Sequence, residues 1–173
     1  PDTKLARLLY SQQVRDLRQN DSRRYILTDI AFQALRKINS AEVSDQSIYE
    51  ALADLEKPRL ENGVVKASEY IYSTLMAGQS VQEFINGKKQ SPQMRFIDFD
   101  DITKNQFHVT AEFEISENTN RRPDIVLFVN GIPLAVIENK KPSVSIKDAV
   151  VQMLRNQQGT QIPKFFLYPQ ILV

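Results

Sequence analysis

The stretch from Arg121 to Lys140 constrains this chain more than any other part of it. Two apolar runs, Ile125 to Val129 and Pro133 to Ile137, flank Asn130-Gly131, and charged residues stand only at the ends remote from that pair. Short β-branched and aromatic runs on either side of an Asn-Gly pair read as two strands joined by a tight turn, because both turn residues tolerate positive φ. Strands this apolar belong in the middle of a sheet. The charges at their open ends, Asp124, Glu138 and Lys140, therefore need partners, since burying an unpaired ion costs several kcal/mol or more. Side chains on a strand repeat with period two, which puts Glu138 and Lys140 on one face. A strict two-residue turn would pair Asp124 with Ile137 and leave Glu138 facing the other way. An odd-length loop, a bulge or an irregular entry at Pro123 repairs this, and Pro133 cannot supply a ladder donor. The pattern thus predicts a break in the simple hairpin register.

The rest of the chain divides by period. Residues 1 to 58 read as helical, with Leu5, Leu8 and Leu9, then Ile30, Ala34, Leu35 and Ile38, then Ile48, Leu52 and Leu55 at helical spacing. Ser44 is a candidate N-cap for the last of these, and Pro58 follows its end. A further helix is predicted from about Lys66 to Ala77, stopped by Gly78. Strands are expected over 81–85, 94–99, 107–115, 124–129 and 133–140, and again over 164–168. Between the last two, Ile146, Ala149, Val150, Met153 and Leu154 form a helical stripe suited to covering a sheet face. Asn62-Gly63 and Asn86-Gly87 are expected corners, like Asn130-Gly131. This order implies an α/β fold: a mixed sheet flanked by helices, with a helical N-terminal half (1–79) and a sheet core (80–173) packed as one domain. Phe96, Phe99, Phe107, Phe113 and Phe128 are assigned to the core. The apolar ending Ile171-Leu172-Val173 suggests a piece of something longer.

Composition excludes several classes. There is no cysteine, so no disulfide, thiolate nucleophile or zinc-thiolate site is available. No apolar run approaches the roughly 20 residues of a membrane-spanning helix, and no signal peptide is visible, so a cytoplasmic location is the default. The net charge of +1, from 22 basic and 21 acidic residues, gives no strong overall field for nucleic acid. Any DNA surface has to be local. Arg15, Arg18, Arg23 and Arg24 make one basic cluster, which reads as solvated surface, and Lys140, Lys141 and Lys147 make another.

Two carboxylates beside a lysine suit a hard divalent cation such as Mg²⁺, which takes one or two protein carboxylates and fills its other positions with water and substrate phosphate. Lys140 would then hold the attacking water or offset charge growing on phosphorus. The plainer alternative is an ion pair between Glu138 and Lys140 at a strand end, with Asp124 capping a turn. His108, the single histidine, could act as an acid or base but reads more readily as a hydrogen-bonded structural or surface residue.

These residues resemble the Pro-Asp…(Asp/Glu)-x-Lys nuclease superfamily, and more narrowly the N-terminal nuclease region of the restriction subunit of type I restriction-modification enzymes. The likeness extends through Met94 to Asp100, Asn105-Gln106-Phe107, Arg122 to Gly131, Pro133 to Lys140, and Ile162 to Val173. It implies a restriction-endonuclease-like fold and Mg²⁺-dependent cleavage of double-stranded DNA. Asp124, Glu138 and Lys140 are the matched catalytic positions, with Asp124 and Glu138 on the metal. It also implies a downstream ATP-driven motor, with ATP needed only there, and modification and specificity subunits as partners. Family members often carry Gln-x-x-x-Tyr on the helix after the lysine strand; here Gln152 matches and Asn156 departs. Gln152 and Lys141 are the implied DNA contacts. The backbone carbonyl of Asn139 is a further candidate ligand, and Glu42 or Glu50 a candidate upstream acid. A non-catalytic DNA-binding or subunit-docking module with this fold, and a Mg²⁺-dependent repair nuclease without a motor, are the alternatives.

Overall fold

The computed structural model describes residues 6–57, 60–139 and 146–173, without the side chains of Ile146 and Ala149. After a short strand β1 (Arg7–Leu8) come four helices: α1 (Ser11–Leu17), α2 (Thr28–Ile38), α3 (Asp45–Leu55) and α4 (Val64–Ala77). Their apolar residues recur every three or four positions, so α2 buries Ala31, Ala34 and Leu35 while α3 buries Ile48, Ala51, Leu52 and Leu55. Ser44 caps α3 as expected, its Oγ accepting from the Ser47 N–H at 3.2 Å. Helix α4 stops at Gly78, whose φ is +73° and where a Cβ would lie 2.2 Å from the Met94 carbonyl oxygen. Only glycine fits there.

The helix expected around Leu5, Leu8 and Leu9 is replaced by strand. Leu5 lies outside the described residues, and Arg7–Leu8 pairs parallel with a neighbouring strand. Leu8 is 51% exposed and Leu9 4%, the alternation of an extended chain rather than a helical stripe. The sheet edge supplies a partner at 2.9 Å for the Leu9 N–H, on the Val109 carbonyl. That ladder overrides three leucines at helical spacing.

Two small ribbons follow α4: β2 (Gln79–Ser80) pairs with β5 (Gln93–Met94), and β3 (Glu83–Ile85) with β4 (Lys88–Gln90) across the Asn86-Gly87 turn. The strand expected over 94–99 is confined to its first residue. Phe96 is buried beyond it, but Phe99 is 51% exposed and is not core. Next come β6 (Phe107–Ala111), β7 (Ile115–Ser116), β8 (Asn120–Arg121), β9 (Ile125–Val129) and β10 (Ile132–Ile137), then α5 (Ile146–Asn156) and β11 (Ile171–Leu172). The main sheet has five strands in the order β1-β6-β9-β10-β11, with β6, β9 and β10 antiparallel and both edge strands parallel to their neighbours. This is the expected α/β architecture: a mixed sheet after a helical half.

Residues 164–168 are not the expected strand. Phe165–Leu167 is a turn of 3₁₀ helix. It brings Phe165 and Tyr168, three residues apart, edge-on to the ring of Tyr25 at 5.8 and 5.9 Å, which an alternating strand would not do. Helix α5 also differs in orientation from its stripe: Met153 and Asn156 are buried, while Val150 and Leu154 are 53% and 60% exposed. One core cluster runs from Leu9 to Tyr168 and includes Leu35, Leu52, Phe113, Val126, Phe128 and Val136, so both halves share it. Each such side chain contributes roughly 1.5–3 kcal/mol by leaving water.

Candidate active site

The hairpin of β9 and β10 does break register. Ile132 faces Val129 and Pro133 faces Phe128, but Ala135 then faces Leu127, so Leu134 is the extra residue of a bulge. Beyond it Val136 faces Val126 and Ile137 faces Ile125. Continued one residue past the ladder, that register would set Asp124 against Glu138, on the face that carries Val126 and Val136. Without the bulge Asp124 would meet Ile137.

Both acids are half-buried at the open end of the hairpin. Asp124 Oδ2 accepts the Asn139 backbone N–H at 2.6 Å, which ties the carboxylate to the strand carrying Glu138. Glu138 Oε2 accepts from Gln152 Nε2 at 3.2 Å, so α5 reaches back over the site. The Glu138 N–H donates to the Val173 carbonyl at 2.9 Å, and β11 thereby secures the same strand end. Two half-buried carboxylates, each held by a hydrogen bond, offer hard-oxygen donors. No group of three or more His, Cys, Asp or Glu placed to hold a metal occurs among the described residues. Glu42 and Glu50 are therefore not brought to the pair. Indeed Leu27, which precedes α2, donates to Gly131 at the turn end of the hairpin, and α3 packs on α2. Lys140 and Lys141 lie outside the described residues.

Of the other sequence candidates, Gln152 stands against Glu138 as described, while Asn156 is buried and not an exposed helix polar. Its Oδ1 accepts from Arg121 Nε at 3.3 Å, and Arg121 also bonds Gln161. This network pins the end of α5 to β8 and is what sequence reasoning missed. The four-residue spacing of Gln152 and Asn156 was its signal. The Asn139 amide is bonded to Asp124, which leaves the expected role of its carbonyl untouched. His108 is buried on β6 with Nδ1 unpartnered, and burial, then the nearby Arg7, holds its pKa below the usual imidazole value. Phe128, not either acid, faces it across the ladder.

One backbone position beside the acids is strained. Glu112 has φ +50°, a conformation that costs a non-glycine residue of order 1 kcal/mol or more. Its N–H donates to the Asp124 carbonyl at 2.8 Å, and the Phe113 N–H to the Pro123 carbonyl at 3.2 Å. The kink carries the chain out of the ladder where Asp124 begins it. Arg122 Nη1 lies 3.6 Å from Glu112 Oε2, both side chains more than half exposed.

Comparison with known proteins identifies the family. The family model described as the type I restriction enzyme R protein N terminus matches residues 6–173. A Methanocaldococcus jannaschii protein described as the MjaIXP type I restriction enzyme endonuclease subunit is 33% identical over 159 residues, covering 86% of this chain and 14% of the relative. The type I restriction enzyme HindI endonuclease subunit of Haemophilus influenzae is 30% identical over 146 residues, 82% of this chain and 14% of its own length. The EcoprrI endonuclease subunit of Escherichia coli is 30% identical over 121 residues, 69% and 36%. The chain thus spans about 14% of the length of the first two relatives. These matches make the chain a member of the family of type I restriction enzyme R protein N-terminal regions.

Proposed function

We propose that this chain is the DNA-cleaving domain of a type I restriction enzyme, and that Asp124, Glu138 and Lys140 are its catalytic residues. The observation that supports the reading is the bulge at Leu134, which shifts the register so that, continued one residue past Ile137 and Ile125, it would set Asp124 against Glu138 at the open end of an otherwise apolar hairpin. A structural ion pair would need no such interruption.

The donor set fits Mg²⁺, which accepts one or two carboxylates and keeps its remaining positions for water and phosphate oxygens. Asp124 and Glu138 would hold it, with the Asn139 carbonyl as a third oxygen. When bound, the ion polarises the phosphoryl group and lowers the pKa of its water. The chain's own residues do the rest. The Asn139 amide fixes the Asp124 carboxylate and Gln152 fixes that of Glu138, so both are held in place before substrate arrives. Lys140, two residues beyond Glu138, would orient the attacking water and offset charge on the phosphoryl oxygens. Lys141 and Gln152 would touch the DNA backbone. ATP would serve only a motor elsewhere in the whole subunit, and modification and specificity subunits would be the protein partners.

The test is a cleavage assay with the assembled enzyme. Alanine at Asp124, Glu138 or Lys140 is expected to abolish double-strand cutting while ATP hydrolysis continues. Full cutting by all three variants contradicts the reading. A non-catalytic docking module is the second reading, favoured by the exposed Val150, Val151 and Leu154 on α5. It predicts that this chain supports no metal-dependent cutting under any condition, while assembly with the partner subunits is retained until those residues are made polar.

A further inference from the structure

Arg18 is a buried cation without an adequate partner. It is 2% exposed, its Nη1 donates to the Glu114 carbonyl at 2.7 Å, and its guanidinium carbon lies 4.3 Å from the centroid of the Phe113 ring. Nε and Nη2 have no hydrogen-bond partner. Asp21, Glu114 and Tyr25 act on it only through space. Burial pulls its pKa down to about 10, so it remains charged at neutral pH. A buried guanidinium ordinarily faces a carboxylate or phosphate that its fork can bridge.

The same side chain lines a cleft of about 150 Å³, together with Ser11, Arg15, Thr110, Glu112 and Arg122. Arg15 is exposed and has no ion pair among the described residues, and Arg122 meets only Glu112, at 3.6 Å. The cleft adjoins the carboxylate pair: Arg122 is two residues before Asp124, and the Glu112 N–H donates to the Asp124 carbonyl. Thr110 faces Val126 across the ladder, so this wall lies on the sheet face that also carries Asp124.

We propose that this cleft is an oxyanion site for a phosphate group, with Arg18 as its deepest cation and Arg15 and Arg122 as arms closing on the anion. Glu112 gives up Arg122 when the anion enters, an exchange eased by the exposure of both side chains. The phosphate comes either from the DNA backbone, next to the one at the carboxylates, or from a free phosphate ion. The backbone source rests on the DNA-cleaving reading above; the free-ion source does not.

The test uses this chain and reads binding, so it is independent of any cleavage result. Inorganic phosphate is titrated against chloride at constant ionic strength while the arginine Nε–H signals are followed by NMR. In parallel, binding of a short duplex without divalent metal is measured as a function of salt. Wild type is expected to show a saturable shift at Arg18, absent in the surface double variant R15Q/R122Q, and in R18M the phosphate response of the Arg15 and Arg122 signals is expected to be lost. If the source is the backbone, the double variant also lowers the slope of log affinity against log salt by about 1, for the one phosphate no longer neutralised. If it is a free ion, that slope stays at the wild-type value while the phosphate response is lost. No phosphate shift at Arg18 together with an unchanged slope overturns the site. Should R18M fail to fold, R15Q/R122Q decides alone.

Discussion

The two ends of the β9–β10 hairpin are built on opposite plans. At the turn end the Asn130 side chain is fully paired and there is no space: Asn130 is fully buried, and its side chain accepts from the Gln106 N–H and donates to the Phe96 carbonyl and Asn105, each at 2.8 Å. Gly131, at φ +74°, sits so close to α2 that a Cβ would be 2.6 Å from the Leu27 carbonyl oxygen and 2.8 Å from the Ala31 nitrogen. At the open end two carboxylates are half-buried, one held by a backbone amide and the other by Gln152. A strained Glu112 and a bulge at Leu134 stand beside them. One end stores the stability of the fold, and the other retains charge and strain that stability alone does not require.

If that contrast holds, substitutions at the turn should be costly to folding and those at the open end nearly silent. Gly131→Ala combines a left-handed backbone with a backbone clash, and is expected to destabilise the chain by roughly 3–5 kcal/mol, measured by urea unfolding. Asn130→Ala removes three side-chain hydrogen bonds inside the core and should cost about 2–4 kcal/mol in the same assay. A smaller effect concerns pH. His108 has its folded pKa held below the usual 6.5, so the unfolded chain takes up the proton first as pH falls. Stability should therefore decline as pH falls through the unfolded imidazole value and level off below the folded one, and His108→Gln should flatten that limb. Asp124→Asn, which keeps an oxygen for the Asn139 amide, should change stability by no more than about 0.5 kcal/mol. A loss as large as that at Asn130 would make Asp124 a structural cap and erase the contrast.

Much of this was legible in the residues. Asn130-Gly131 announced the turn, and the mismatch between a strict turn and two acids on one face required the bulge that Leu134 supplies. Periodicity found α2, α3 and α4 because their buried faces are continuous. It failed where a partner decided the outcome. Leu8 and Leu9 are extended because β6 offers a parallel edge, and Phe165 to Leu167 is a turn because Tyr25 needs two rings three residues apart. The rotation of α5, which buries Asn156 and exposes Leu154, follows from Arg121 some 35 residues earlier. Asp124 and Glu138 stood out as charges at the ends of apolar strands, whereas Arg18 read as one more surface cation. Burial is a property of the neighbours, and no local pattern reports it.

The most direct measurement is anomalous diffraction from crystals of this chain soaked in Mn²⁺. A peak bridging the carboxylates of Asp124 and Glu138, absent in Asp124→Asn, is the predicted result. Manganese at full occupancy elsewhere, with no density between these two side chains, would contradict the account.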